Sequence, residues 1–71
     1  MDSVKSLSDF ERKLITIIQH YNREKRSPGL HTLVNKTGRH EDDIIATIQD
    51  LVARRWIVVH DKKIRVRQKL F

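Results

Sequence analysis

The chain has 71 residues, no cysteine, and 15 Lys and Arg against nine Asp and Glu, for a formal net charge of +6. This length predicts one small domain with too little apolar material for a deep catalytic cavity. The lack of cysteine excludes a disulfide framework or a thiolate metal site. No run approaches the roughly 20 apolar residues that span a bilayer, and the N-terminus lacks the apolar segment of a signal peptide. We therefore expect a single domain over residues 1–71, with an ordered core at about 8–68, in the cytoplasm or nucleus and with no membrane partner.

The positive charge is concentrated in two blocks. Five bases and one acid give residues 23–40 a charge of +4, and seven bases and one acid give residues 54–71 a charge of +6. Residues 41–53 carry four acids and no base, while residues 1–22 are neutral. A basic domain of this kind predicts a polyanionic partner, such as nucleic acid. The alternative is a solvated surface that only keeps the protein soluble.

A first amphipathic helix is predicted over residues 9–22. Ser8 and Glu11 have the spacing of a capping box, in which each side chain accepts a hydrogen bond from the other residue's backbone N–H. Residues 1–6 before it are expected to be frayed. The apolar residues that follow recur on one helical face, at Phe10, Leu14, Ile17, Ile18 and Tyr21.

Two further helices follow a break at Ser27-Pro28-Gly29. The first is short, over residues 30–37, and Gly38 is suited to the left-handed position after its end. The second, over residues 40–55, begins with three acids, where the helix macrodipole favours negative charge. Its apolar stripe consists of Ile44, Ile45, Ile48, Leu51 and Val52.

A β-hairpin is predicted from strands at 57–60 and 63–67. Its turn is either the pair Asp61-Lys62 or a four-residue loop over 60–63, and both keep the same register. The register gives one apolar face and one mostly polar face, as a hairpin packed on a core requires. The apolar pairs are Val59 with Ile64 and Ile57 with Val66, and the other pairs are Val58 with Arg65 and His60 with Lys63.

Two segments resemble a known family. Leu33-Val34-Asn35-Lys36-Thr37-Gly38-Arg39-His40 resembles the core of a helix-turn-helix, with its Gly-containing turn. Residues 48–58 resemble the passage from recognition helix to first wing strand in the winged-helix superfamily, with Trp56 where a small residue is common. The resemblance covers about residues 8–68 and implies an α+β fold, a small winged helix of three helices followed by a two-stranded antiparallel β-hairpin wing. Members of this superfamily bind DNA, RNA or proteins, so the resemblance implies the fold more strongly than the function.

In DNA-binding members, the third helix enters the major groove and the wing touches the backbone or minor groove. Major-groove reading relies on Arg, Lys, Asn and Gln, and here three of the seven residues on the corresponding face are acids. The wing is therefore the better candidate, because strand alternation places its arginines together on the outer face, where they suit phosphates. Charged protection of an edge strand is the alternative explanation. The groove-face residues are Arg39, His40, Glu41, Asp42, Ala46, Thr47 and Asp50.

The predicted nucleic-acid-binding residues come from the turn, the third helix and the wing. Lys25 and Arg26 could extend this surface, but a solvated loop is the favoured interpretation of these two residues. The charge of Arg54 and Arg55 is explained by their place at a helix C-terminus. Single-stranded binding needs several exposed aromatics, which this chain does not supply. The predicted site consists of Lys36, Arg39, His40, Thr47, Lys62, Lys63, Arg65 and Arg67.

No nucleophile–base arrangement or metal motif is present in the sequence. The four histidines are not spaced at i, i+3 or i+4, and Ile44 stands where a His-Glu-x-x-His zinc helix starting at His40 would need its second histidine. We therefore expect no enzymatic activity, no metal and no cofactor.

The sequence thus predicts a nucleic-acid-binding module, as in a small transcriptional or replication regulator. Its expected partner is duplex DNA, contacted mainly through the backbone, and RNA is the alternative polyanion. The alternative from a different class is a protein-interaction adaptor that uses the acidic start of the third helix. Leu70-Phe71 is either a docking or dimer contact of such an adaptor, or a frayed end.

Overall fold

The computed structural model describes residues 4–68 of the chain. The predicted order and type of all five elements are confirmed: three helices are followed by a two-stranded antiparallel hairpin, an α+β arrangement. The third helix and the second strand end one or two residues earlier than predicted. Leu70-Phe71, predicted as a docking contact or a frayed end, lies outside the described residues. The elements are a 3-10 turn at Val4–Ser6, then α1 at Asp9–Arg23, α2 at Leu30–Thr37, α3 at Glu41–Ala53, β1 at Ile57–His60 and β2 at Lys63–Val66.

The capping box at the start of α1 is formed as predicted. The Ser8 hydroxyl accepts from the Glu11 backbone N–H at 3.1 Å, and the Glu11 carboxylate accepts from the Ser8 N–H at 2.8 Å. The prediction of a frayed start is wrong for residues 4–6, which form the 3-10 turn. Burial explains this difference, because Leu7 follows the turn directly and is buried in the core.

Arg54 joins the start of α1 to the end of α3. Its guanidinium lies 3.0 Å from the Glu11 carboxylate and 3.1 Å from the Asp50 carboxylate, and it also donates to the Ser6 carbonyl at 3.2 Å. The side chains of Arg54 and Glu11 are largely buried. The charge of Arg54 is therefore balanced inside the fold and contributes little to the surface potential.

The core lies between the three helices and one face of the hairpin. Three residues that the sequence places on core-facing stripes are exposed instead: Ile45 at 37%, Val52 at 39% and Val59 at 44%. Ile44 and Leu51 face the core. Ile45 and Val52, each the next residue along α3, therefore lie to one side of the core-facing surface. Val59 lies one pair from the hairpin turn, and its chain neighbours Val58 and His60 are exposed, although its cross-strand partner Ile64 is buried. The buried apolar residues are Leu7, Leu14, Ile15, Ile18, Leu33, Ile44, Leu51, Trp56, Ile57 and Ile64.

The hairpin has the predicted register, with Ile57 opposite Val66 and Val59 opposite Ile64. Asp61 and Lys62 form a two-residue turn and have φ angles of 51° and 65°. Positive φ at both central residues is the requirement of a type I′ turn, which matches the twist of the strands and favours Asn-Gly. Gly38, after α2, is likewise left-handed, with φ at 71°.

We expect the substitution Lys62→Gly to raise the free energy of unfolding by about 0.5–1 kcal/mol, because glycine adopts positive φ without steric cost. Chemical denaturation followed by Trp56 fluorescence would measure the change. Lys63→Gly, one residue on in β2, is the control and should be destabilising, since glycine weakens a strand. Equal stability of Lys62→Gly and the parent would contradict the type I′ turn.

The outer edge of β2 is bound by side chains from the end of α1 and the loop that follows. The Asn22 amide donates to the Ile64 carbonyl at 3.1 Å and accepts from the Val66 N–H at 2.9 Å. The Ser27 hydroxyl accepts from the Ile64 N–H at 2.8 Å. Asn22 also donates to the Arg26 carbonyl at 3.0 Å. These bonds satisfy the free edge of the hairpin and hold the loop between α1 and α2 against β2.

Across residues 4–68, no helix has both the length and the apolar content needed to cross a bilayer.

Candidate nucleic-acid interface

A cleft of about 400 Å³ lies between β2 and the loop that joins α1 to α2. Four cations line it, two from the loop and two from the strand, and none of its described lining residues is an acid. All four side chains are exposed. The cleft is therefore a positive concave surface, in which Arg26 has the Glu24 carboxylate 4.0 Å from its guanidinium. The cations are Lys25, Arg26, Lys63 and Arg65, and the other lining residues are Asn22, Ser27 and Val66.

The loop cations reach the strand because α1 ends in a Schellman motif. The Arg26 N–H donates to the Tyr21 carbonyl at 2.9 Å, and the Lys25 N–H donates to the Asn22 carbonyl at 3.0 Å. Lys25 takes the left-handed conformation of this motif, with φ at 60°. This reversal directs the chain away from the axis of α1, and the bonds from Asn22 and Ser27 then fix the loop beside β2.

The strand cations are placed by alternation. Lys63 and Arg65 lie on the outer face of the hairpin, opposite His60 and Val58, while Ile64 between them is buried in the core. The same two cations line a second depression on that outer face, together with Val58, His60 and Asp61. The predicted position of Lys63 and Arg65 on the polar face of the hairpin is therefore confirmed, whereas Arg67, predicted to share that face, follows the end of the strand.

Tyr21 connects the cleft to the end of α2. The Arg26 guanidinium lies 5.1 Å from the centre of the Tyr21 ring, and the Lys36 ammonium lies 5.9 Å from it. Both distances are within the range of cation–π contacts. The Tyr21 ring thus links Arg26, which lines the cleft, to Lys36, which lines a separate pocket with Tyr21 on α1. We call the set Lys36, Arg26, Lys25, Lys63 and Arg65 the basic track.

Arg39 lies apart from the basic track. Its guanidinium is 4.5 Å from the centre of the Phe10 ring, at the start of α1. Phe10 and Tyr21 are separated by 11 positions on that helix, which corresponds to about 16 Å along its axis. Lys36 and Arg39 flank the same turn in the sequence, but the fold directs their side chains to opposite ends of α1.

His40 and Thr47 are engaged with the backbone of α3. His40 is the N-cap residue, and its Nδ1 accepts from the Asp42 N–H at 3.1 Å. The Thr47 hydroxyl donates to the Asp43 carbonyl at 2.8 Å. Three exposed acids, Glu41, Asp42 and Asp43, occupy the same first turn. The structure places these two predicted residues in acidic surroundings, which are unfavourable for a phosphate.

Lys62 and Arg67, the remaining predicted residues, are exposed at the two ends of β2. Lys62 occupies the turn beside Asp61, whose carboxylate lies 3.4 Å from the His60 imidazole. Arg67 follows the last residue of the strand, and its N–H donates to the Trp56 carbonyl at 2.8 Å. The structure thus brings Lys63 and Arg65 together in the cleft and links Lys36 to it only through Tyr21 and Arg26. Lys62 and Arg67 lie at the two ends of β2, and Arg39, His40 and Thr47 lie apart from the cleft.

The sequence offers little indication of the roles of Tyr21 and Asn22. Tyr21 belongs to the apolar stripe of α1, and the sequence predicts a core residue. In the structure it is half-buried, and its ring contacts two cations. For Asn22, the sequence indicates only a polar residue at the end of the helix. Its hydrogen bonds reach residues more than 40 positions away, which no local pattern encodes.

Among residues 4–68, no group of three or more His, Cys, Asp or Glu side chains is arranged to hold a metal ion. Comparisons of the chain with protein-family models, with curated proteins and with solved structures found no match.

Proposed function

We propose that this protein is a nucleic-acid-binding module of winged-helix type that acts inside the cell and holds duplex DNA by its phosphate backbone. The basic track carries this proposal, because four cations from the α1–α2 loop and β2 line one cleft and Lys36 of α2 is linked to it through the Tyr21 ring. Side chains of Lys and Arg that contact phosphates position a protein on DNA without reading its sequence. We expect the protein to act by binding, as a regulator does, and to catalyse no reaction.

The charges on α3 favour backbone contact over base reading. Its first turn exposes Glu41, Asp42 and Asp43, and carboxylates close to phosphates weaken binding. The donors that read bases in the major groove are Arg, Lys, Asn and Gln, and Gln49 is the one such residue on this helix. We therefore infer similar affinity for duplexes of different sequence.

The aromatic residues favour duplex over single-stranded nucleic acid. Single-stranded binders present exposed rings on which bases stack. Here Trp56 is buried, Phe10 is covered by Arg39, and Tyr21 is flanked by two cations. Duplex DNA also has the higher charge density and hence the larger gain from counterion release.

A second candidate function is that of a protein-interaction adaptor. The surface of α3 favours it, since three exposed acids occupy its first turn and the exposed apolar residues Ile45 and Val52 follow on the same helix. If the protein is solely an adaptor, the basic track is a solvated surface and does not bind nucleic acid.

Fluorescence anisotropy with labelled duplexes of several unrelated sequences would test the proposal. We expect binding at low salt, with log K falling by about 4.5 per decade of salt concentration if all five cations contact phosphates, since each contact contributes about 0.9 to the slope. Affinities for the different duplexes should agree within a few-fold. Single-stranded DNA and duplex RNA of the same length serve as comparisons and should bind more weakly. Absence of duplex binding at low salt would contradict the proposal and leave the adaptor function.

A further inference from the structure

The outward surface of α3 carries an apolar stripe that the fold leaves partly uncovered. Ile45 and Val52 are separated by two helical turns and are 37% and 39% exposed. Gln49 lies between them on the same side of the helix, at i+4 from Ile45, and is exposed. The adjacent Ala46 and Ala53 are exposed too, and their small side chains allow another helix to approach closely.

Opposite charges stand at the two ends of this stripe. Asp42 precedes Ile45 by three residues and is exposed, and Arg55 follows Val52 by three residues and is exposed. The midpoint between Ile45 and Val52 is therefore also the midpoint between Asp42 and Arg55, and it lies beside Gln49. When the α3 helices of two copies lie antiparallel, each acidic end therefore meets a basic end, and the apolar residues meet each other.

We infer that α3 is the interface of a symmetric homodimer in which the stripes of two copies pack antiparallel. Ile45 of each copy packs against Val52 of the other, and Asp42 of each copy pairs with Arg55 of the other. The two-fold axis passes beside Gln49, where the two amides meet. Such an interface is isologous, as the symmetry of a closed dimer requires.

The backbone at Arg55 supports this role for its side chain. α3 ends in a Schellman motif, in which the Trp56 N–H donates to the Leu51 carbonyl at 2.9 Å and the Arg55 N–H donates to the Val52 carbonyl at 3.1 Å. Arg55 takes the left-handed position, with φ at 64°, where glycine is the favoured residue. Among the described residues, no carboxylate lies within ion-pair distance of Arg55, whereas the neighbouring Arg54 has two. The second copy supplies that carboxylate through Asp42.

The dimer is independent of the proposed DNA binding. α3 packs against α2 and β1, whereas the cleft of the basic track is formed by β2 and the α1–α2 loop. Pairing through α3 therefore leaves that cleft open in each copy. A 13-residue helix is about 20 Å long, so the interface is small, and we expect a dimer of moderate affinity.

Sedimentation equilibrium over a range of protein concentrations would test the dimer. For the parent we expect a mass approaching twice the 8.5 kDa of one chain at high concentration. In a homodimer of D42R, two arginines face each other at both symmetry-related contacts, and in a homodimer of R55D two aspartates do. Each substitution should therefore weaken dimerisation by about tenfold or more. Asp43 lies off the stripe on the same helical turn, so D43R is the matched control and should dimerise like the parent.

Mixing the two single variants gives the decisive measurement. In a heterodimer of D42R with R55D, both contacts again join opposite charges, so the mixture should recover the parent affinity. Asp42 and Arg55 of one chain are about 20 Å apart along the helix axis, so recovery cannot arise within a chain. Circular dichroism establishes that each variant is folded. A parent that stays monomeric, folded variants that fail to recover on mixing, or a D43R variant as weak as D42R would overturn the inference.

Discussion

Replacing Lys25, Lys63 and Arg65 together with alanine is expected to lower the affinity for duplex DNA by about 100-fold or more at 0.1 M salt. Each of the three cations lines the cleft, and each lost phosphate contact reduces the slope of log K against log salt by about 0.9. The salt slope should therefore fall by nearly 3. Anisotropy titrations at several salt concentrations measure both quantities.

The matched control also replaces two lysines and one arginine, but at positions outside the cleft. Lys5, Arg12 and Lys13 are exposed at the start of the chain and on α1, and none of them lines the cleft. Their joint replacement with alanine changes the net charge equally but should alter affinity by only a few-fold. Similar losses in the two variants would show that overall charge, and not the basic track, governs binding.

The substitution Asn22→Leu is expected to lower the free energy of unfolding by about 2–3 kcal/mol. It removes the partners of the Ile64 carbonyl and the Val66 N–H, both part-buried, and an unpaired buried backbone group costs about 1–3 kcal/mol. A domain of this size has only about 4–10 kcal/mol of stability in total, so the change is a large share. We expect the Tm to fall by roughly 10–20 °C.

Urea unfolding followed by the fluorescence of the buried Trp56 would measure this loss. Asn35→Leu is the control, because Asn35 is exposed on α2 and should tolerate the change within about 0.5 kcal/mol. Asn22→Asp keeps an acceptor for the Val66 N–H but loses the donor to the Ile64 carbonyl, so its stability should be intermediate. If Asn22→Leu unfolded like the parent, these hydrogen bonds would not hold the loop to β2.

The helices and the hairpin were predictable because their signals are local. The capping box of Ser8 and Glu11 marks the start of α1, and Gly38 occupies the left-handed position after α2. Alternation of apolar and polar residues defined the pairing of Val59 with Ile64. A shift of one residue would have moved every apolar side chain of a strand to the other face.

Burial along α3 was only partly predictable. The stripe from Ile44 to Val52 is wide enough to indicate a core-facing helix, but the breadth of the face that is covered depends on the neighbouring elements. Ile44 and Leu51 are buried in the core, where α3 packs against α2 and β1, and Ile45 and Val52 are left exposed. The apolar surface proposed as a dimer interface follows from this difference.

The candidate site depended on contacts between distant residues. The charge blocks and the strand alternation already indicated that Lys63 and Arg65 share an exposed face. That Lys25 and Arg26 join them depends on the left-handed turn at Lys25 and on bonds from Asn22 and Ser27 to β2, which link residues 37 to 44 positions apart. Likewise, the rings of Phe10 and Tyr21 separate Arg39 from Lys36. Local periodicity sets where helices and strands form, whereas the packing of α1 against β2 decides which charges meet.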